Sequence, residues 1–292
     1  MNGEYSFCIR FSSLTVRFIL PTEANLPECF LELLCEDTDT PDVTYRVSLI
    51  QKPISLNSTP IYEDGDIFVY KTTEGYLRIY KPLIEKDGCQ VACLLRKNGE
   101  NIMYYPEDKW HSKYRNYLHC THLICGELML LYRNALLLHS SVVLKDDKAV
   151  LFCGASGAGK STQAKLWQEH LGAEIINGDR CVLMKKDGIF FGGGSPFAGT
   201  SGIYSPKQAP IGGIFILNKA SDNTITKVTR SAFRTLYYQT TINAWDKSFV
   251  DFVTDFYASL LGSVPVFELS CRPDKDAVML AYNTLFSKEE SL

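Results

Sequence analysis

Over roughly the first 110 residues, apolar side chains come in short runs, several alternating with polar ones, and turn-forming residues separate the runs. Alternation with a period of two is what a strand with one buried face produces. Phe7–Phe11, Thr15–Leu20, Thr44–Ile50, Ile67–Lys71, Tyr76–Tyr80 and Gln90–Arg96 are therefore predicted strands. Glu63-Asp64-Gly65-Asp66, Thr73-Glu74-Gly75, Lys86-Asp87-Gly88 and Lys97-Asn98-Gly99 carry the residues tight hairpins use. The expectation is a small antiparallel, β-rich N-terminal domain over 1–112. From Tyr114 to Leu138 the period lengthens, with Leu118, Leu123, Leu128, Leu131 and Leu136 spread over a helical stretch, so 113–138 reads as a helical connector with a break near Gly126.

From His139 onward strands and helices alternate, and 139–292 reads as an α/β domain. His139–Leu144 is a predicted strand, Lys145-Asp146-Asp147-Lys148 a hairpin turn, and Ala149–Cys153 the returning strand. Lys160–Leu171 follows as a helix with Ala164, Trp167 and Leu171 on one face and Gly172 as its stop. Ala173–Ile176, Cys181–Met184, Ile189–Phe191, Ile214–Leu217 and Val264–Leu269 are further strands; Ser231–Thr240, Ser248–Leu261 and Asp274–Phe286 are further helices.

Between the strand at Ala149–Cys153 and the helix at Lys160 lie Gly154, Ala155, Ser156, Gly157, Ala158 and Gly159, followed by Lys160, Ser161 and Thr162. They fill every fixed position of GxxxxGK[ST], in the strand–loop–helix setting that this phosphate-binding loop requires. Glycines let backbone N–H groups close around phosphate oxygens, and the free N–H groups of the following helix attract the same anion. This predicts a nucleoside triphosphate, with Lys160 on its β- and γ-phosphates and Ser161 on Mg2+. Asp179, at the end of the strand after that helix, stands where a second carboxylate for Mg2+ or for proton transfer belongs, with Arg180 beside it.

Composition narrows the partners. Lys and Arg number 30 against 33 Asp and Glu, and no long basic run occurs, so neither nucleic acid nor an anionic membrane surface is an expected partner. The N-terminus lacks a basic start and an unbroken apolar stretch, and no run reaches membrane-span length, which predicts a cytoplasmic protein. The 10 cysteines are scattered through predicted elements and read as reduced thiols. Cys89 with Cys93, and His119, Cys120, His122 and Cys125, lack the paired spacing of a structural zinc site. Asn218-Lys219 resembles the start of a guanine-reading NKxD, but Ser221 occupies the aspartate position.

With His139, the glycine loop and Asp179 in view, residues 136–286 resemble the HPr kinase/phosphorylase-like kinases, relatives of the phosphoenolpyruvate carboxykinase-type P-loop fold. Three segments carry the resemblance: the His139-Ser140-Ser141 start, the GASGAGKST loop, and Ile175-Ile-Asn-Gly-Asp-Arg180. The loop from Gly192 to Gly202 and the stretch from Val264 to Asp274 extend it. The resemblance implies ATP and Mg2+ as cofactors, Lys160, Asp179 and His139 as catalytic residues, and Ser161 and Asp179 as metal ligands. It also implies a hydroxyl acceptor: serine of a peptide or protein, or a small molecule such as free serine. HPr kinases carry two adjacent aspartates where this chain has Gly178-Asp179. The resemblance is thus to stand-alone serine and peptide kinases of that group, which often self-associate, rather than to HPr kinase itself. Two other readings stay open, a phosphoenolpyruvate carboxykinase and a nucleotide-binding sensor or assembly module without turnover. Either Asp179 or His139 could be the base. Ser195, Thr200 and Ser201 in the second glycine segment, and Lys207, Arg230, Arg234 and Arg272 elsewhere, are further candidate contacts for phosphate or acceptor.

Overall fold

The computed structural model describes residues 4–52, 54, 56, 58–80, 91–110 and 126–287, and the chain divides into two compact units. One comprises Met1–Arg10 and Leu14–Arg133, the other Phe11–Ser13 and Asn134–Leu292.

The first unit contains β1 (Tyr5–Phe11), β2 (Leu14–Leu20), α1 (Glu28–Leu31), β3 (Leu34–Cys35), β4 (Val43–Ile50), β5 (Tyr62–Asp64) and β6 (Ile67–Lys71). It continues with β7 (Gly75–Tyr80), β8 (Val91–Arg96), β9 (Glu100–Pro106), α2 (Glu107–Trp110) and α3 (Gly126–Leu131). Its strands form one sheet in the order β3-β1-β2-β4-β9-β8-β7-β6-β5. The hairpins at Asp64-Gly65, Thr73-Glu74-Gly75 and Lys97-Asn98-Gly99 close as the turn residues predict. The sheet is not antiparallel throughout: β4 runs parallel to both β2 and β9. Period-two patterning reports which face is buried and is silent on strand direction, which here follows from the long connection between β2 and β4 and from the four strands inserted between β4 and β9. Phe18 anchors the core, with ring centroids 5.1 Å from Phe7 and 5.4 Å from Tyr45.

The predicted helical stretch over Tyr114–Leu138 is only partly helical. Residues 111–125, with the His119–Cys125 cluster, lie outside the described residues, as does Lys86-Asp87-Gly88. Helix α3 covers Gly126–Leu131, Asn134 takes a left-handed turn at φ 55°, and Ala135–His139 is a strand. Leu136, Leu137 and Leu138 are all buried, and a short run buried on both faces has no period to distinguish strand from helix.

The second unit is mixed α/β. Its elements are β10 (Ala135–His139), β11 (Ser141–Lys145), β12 (Lys148–Cys153), α4 (Lys160–Leu171), β13 (Glu174–Asn177), β14 (Arg180–Lys186) and β15 (Ile189–Gly193). After a single 3-10 turn at Gly199–Ser201 come β16 (Gln208–Lys219), β17 (Thr224–Lys227), α5 (Arg230–Gln239), α6 (Lys247–Leu261), β18 (Val266–Cys271) and α7 (Lys275–Phe286). The strand order is β10-β14-β15-β16-β12-β11-β13, with β18 on β16 and β17 on β18. Asp146 and Asp147, at φ 48° and 58°, make the tight turn that pairs β11 with β12. Three strands run parallel, β12 beside β16 and β16 beside β18, so their carboxyl ends at Cys153, Lys219 and Cys271 open on one edge. Ligands of open α/β sheets bind at such an edge.

Trp167, on the buried face of α4, packs edge-on against Phe152 at 5.5 Å and secures the helix to β12. Helix α7 begins at Asp274, whose carboxylate accepts from the Ala277 N–H at 3.0 Å and from Asn223 Nδ2 at 2.9 Å. Removing such a cap typically costs about 1 kcal/mol. Asp274→Ala is therefore expected to lower the unfolding free energy by that amount, seen as a lower denaturant midpoint at an unaltered m-value. No helix among the described residues is long and apolar enough to cross a membrane. The described cysteines, Cys8, Cys29, Cys35, Cys93, Cys153, Cys181 and Cys271, are all free thiols.

Candidate functional site

The loop after β12 folds as its glycines dictate. Gly154 sits at φ 141°, and a Cβ there would lie 3.0 Å from the Leu217 carbonyl oxygen and 3.1 Å from Ala158 Cβ, so the loop hugs β16 only because position 154 has no side chain. Gly157 and Gly159 are also left-handed, at φ 77° and 105°. Ala155, Ser156 and Gly157 form an exposed crest, while Ala158 packs on the core of the unit. Ser161 and Thr162 are exposed on the first turn of α4, where the helix N–H groups have no intrahelical acceptor.

Lys160 is 7% exposed, and its Nζ donates to the carbonyls of Gly154 at 2.9 Å and Ala155 at 3.2 Å. Burial lowers its pKa from the ordinary lysine value, and the nearby Cys153 and Asp179 oppose that shift. The ammonium thus has neutral carbonyl partners and no carboxylate within ion-pair distance among the described residues.

The second part of the site is the turn joining β13 to β14. Asn177 is fully buried; its Oδ1 accepts from the N–H groups of Asp179 at 2.9 Å and Arg180 at 2.8 Å, while its Nδ2 donates to the Ser195 carbonyl at 3.2 Å. Ser195 Oγ donates to the Arg180 carbonyl at 2.6 Å and accepts from the Phe197 N–H at 3.1 Å. The Gly199–Ser201 turn packs directly on this one. A Cβ on Gly199 would fall 2.7 Å from Asp179 Cγ, and one on Gly178 would fall 2.5 Å from Ser201 Cβ. The Gly178 carbonyl accepts from Ser141 Oγ at 2.9 Å and from Ser161 Oγ at 3.4 Å, which brings the start of α4 to the Asp179 turn.

His139 arrives by a route the sequence did not show. The predicted strand His139–Leu144 is interrupted at Ser140: β11 pairs with β12, whereas β10 pairs with β14 and sets His139 opposite Arg180. His139 Nε2 lies 3.3 Å from Asp179 Oδ1, and Arg180 Nε lies 3.5 Å from Asp179 Oδ2. Arg180 Nη1 also donates to Thr241 Oγ1 at 2.7 Å. Burial lowers the His139 pKa from its ordinary value; the charge of Lys160 lowers it further, Asp179 raises it, and Arg180 lowers it again. The lowering favours the neutral imidazole.

Of the residues singled out from sequence, the structure draws Lys160, Ser161, Asp179, Arg180 and His139 into one neighbourhood. Asn177 and Thr241 were not anticipated, although an asparagine ahead of Gly-Asp is a familiar turn former. Ser195, expected to meet a ligand, is buried and engaged within the protein. Ser201 Oγ donates to the Ala198 carbonyl at 2.6 Å, and the side chain of Thr200 lies outside the described residues. Lys207 pairs with Glu174 and Arg272 with Asp274, Arg230 is exposed, and Arg234 lies over the Tyr238 ring at 5.9 Å. Two cavities flank the glycine loop. One of about 300 Å3 is lined by Gly154, Ala155, Asn218, Arg234 and Tyr238; the other, of about 470 Å3, lies toward the first turn of α4.

The donor set suits a magnesium nucleotide. Mg2+ keeps several waters and takes only one or two protein oxygens beside phosphate, and Ser161 and Asp179 offer one hydroxyl and one carboxylate next to a cradle of backbone N–H groups. Asn177→Ala would strip the Asp179 and Arg180 N–H groups of their acceptor. An unpaired buried donor costs about 1–3 kcal/mol, so this variant is expected to unfold at correspondingly lower urea, as followed by circular dichroism.

No protein-family model matches the chain, and no curated protein matches it. Among solved structures, the HPr(Ser) kinase/phosphatase from Coxiella burnetii is similar over 52% of this chain and 93% of its own, at 12% identity and a TM-score of 0.30. The functional reading rests on the residues of the site.

Proposed function

We propose that the protein is an ATP-dependent phosphotransferase that moves the γ-phosphate onto a hydroxyl, with serine of a peptide or protein as the acceptor class. The observation that carries this reading is the convergence of a glycine loop and its buried Lys160 with His139 held 3.3 Å from Asp179.

Phosphoryl transfer asks the protein for positioning, charge neutralisation and a proton acceptor. Lys160 exchanges two neutral carbonyl partners for phosphate oxygens, and charge-assisted bonds are about twice as strong as neutral ones. Ser161 and Asp179 would hold Mg2+, which when bound would neutralise phosphate charge. With its single carboxylate committed there, the site leaves His139 as the base, and Asp179 Oδ1 orients the imidazole. The acceptor oxygen bonds to the γ-phosphorus as the bond from that phosphorus to the β-phosphate oxygen breaks. The hydroxyl proton goes to His139, and ADP leaves.

Incubating the purified protein with Mg2+, γ-labelled ATP and a panel of serine peptides, proteins and free serine, beside a Lys160→Ala control, tests this. Lys160-dependent labelling of one acceptor is the expected result; none across the panel would overturn it. A second reading, a nucleotide-binding sensor without turnover, is favoured by Gly178, since the Ser201 contact closes that position to a second carboxylate. Tight ATP binding that survives Asp179→Asn, with no ADP release, would select it.

A further inference from the structure

The cavity of about 470 Å3 is bounded by Gly157–Gly159 and the first turn of α4 on one side, and by Lys219, Ala220 and Cys271–Pro273 on the other. These last residues follow the carboxyl ends of β16 and β18, which lie beside β12 in the parallel set, so the cavity occupies the edge where an α/β sheet takes its ligand. Its volume falls in the range of small-molecule and cofactor sites, roughly 300–1,000 Å3. It also adjoins the helix turn whose N–H groups would receive the phosphate nearest the nucleoside.

One side chain in its wall is unusual. Gln163 is 3% exposed; its Nε2 donates to Cys271 Sγ at 3.3 Å, and its Oε1 has no hydrogen-bond partner. A buried carboxamide oxygen without a donor is costly, and a thiol is a weak acceptor for the amide hydrogen. Both ends of this amide therefore gain from a ligand that offers a donor next to an acceptor. Adenine does so through its 6-amino group and an adjacent ring nitrogen, the edge that glutamine reads with two bonds. On that same N7 edge guanine presents two acceptors, O6 and N7, so its O6 would face Gln163 Oε1.

We propose that this cavity is the nucleoside subsite and that Gln163 selects adenine by its N7 edge, its Oε1 accepting from the 6-amino group and its Nε2 donating to N7. The inference rests on the phosphotransfer reading and adds base selection to it. Lys219 and Arg272 also line this cavity.

The test is equilibrium binding, by isothermal titration with Mg2+, of ATP, GTP and inorganic tripolyphosphate to wild type, Gln163→Leu and Ala220→Trp. Wild type is expected to bind ATP about tenfold more tightly than GTP, within the discrimination one bidentate base contact supplies. Gln163→Leu should erase that preference by weakening ATP, with tripolyphosphate unchanged. Ala220 is exposed, lines the cavity and donates its N–H to the Cys271 carbonyl, so Ala220→Trp would place an indole there without costing that bond; it should weaken both nucleotides and spare tripolyphosphate. ATP preference retained in Gln163→Leu, or ATP bound normally by Ala220→Trp, overturns the proposal. Tripolyphosphate binding with equal ATP and GTP affinities in wild type overturns it alone, whereas a wild type that binds none of the three overturns the phosphotransfer reading as well.

Discussion

Lys160→Ala is expected to lower phosphoryl transfer by about 10³-fold while leaving the fold intact. A charged donor aimed at phosphate oxygens acts where the transferring group develops its charge, and deleting one preorganised donor costs about 10²–10³ in rate, with cationic contacts to a transferring phosphoryl group reaching higher. Stability should not fall with activity. Burial has already pushed the Lys160 pKa down, so the folded state holds this charge at a cost, and relief of that cost offsets the two hydrogen bonds to the Gly154 and Ala155 carbonyls that are lost with it. The melting temperature is therefore expected to change little as transfer collapses, a combination that separates loss of function from loss of structure. Lys160→Arg should not rescue: the ammonium reaches the Gly154 and Ala155 carbonyls from a compact head, and a planar guanidinium cannot occupy the same place. Initial rates with labelled ATP and thermal melts on the same preparations decide the matter.

His139→Asn is expected to lower kcat by about 10²–10⁴-fold, the range for removing a general base. Its pH signature is more telling than its size. The folded-state pKa of His139 lies below the ordinary 6.5 because burial and the Lys160 charge disfavour the imidazolium, Asp179 opposes them, and Arg180 adds to the lowering. Above pH 6.5 the imidazole is neutral and able to take the hydroxyl proton. As pH falls through the lowered pKa it becomes protonated, and kcat/KM drops tenfold per unit. The wild-type profile should thus be flat from neutrality upward, with an acid limb below 6.5 that disappears in His139→Asn. An acid limb that persists in that variant would assign the base to Asp179.

The parts of this picture visible in the chain alone are those that local chemistry settles. Helix α4 spans Lys160–Leu171 and stops at Gly172, which adopts φ 63° and returns its N–H to the Gln168 carbonyl, because a glycine there accepts a left-handed conformation at little cost. The Asp146-Asp147 turn and the strands on either side of it follow from the same kind of rule. Leu136–Leu138 misled for the opposite reason: its environment, buried on both faces, is set by β14 and by α5, which no window of neighbouring residues contains. Parallel pairings were equally out of reach. β12, β16 and β18 are separated by long stretches of chain, and nothing in the alternation of each strand names its partner.

The candidate site divides along the same line. GxxxxGK[ST] between an apolar run and an amphipathic one suffices to specify a loop with left-handed glycines and a lysine at the first helical position, since each requirement is met within a dozen residues. The placement of His139 against Asp179 is a different matter, because it depends on β10 pairing with β14 and on Asn177 and Ser195 holding the turn between β13 and β14. The same holds for the unpartnered oxygen of Gln163, a polar residue on an amphipathic helix that becomes informative only when β16 and β18 close over it. Phosphate-loop chemistry is written in contiguous residues because backbone N–H groups bind the anion. Proton transfer and base selection need side chains converging from distant strands, and only their packing in three dimensions brings those side chains together.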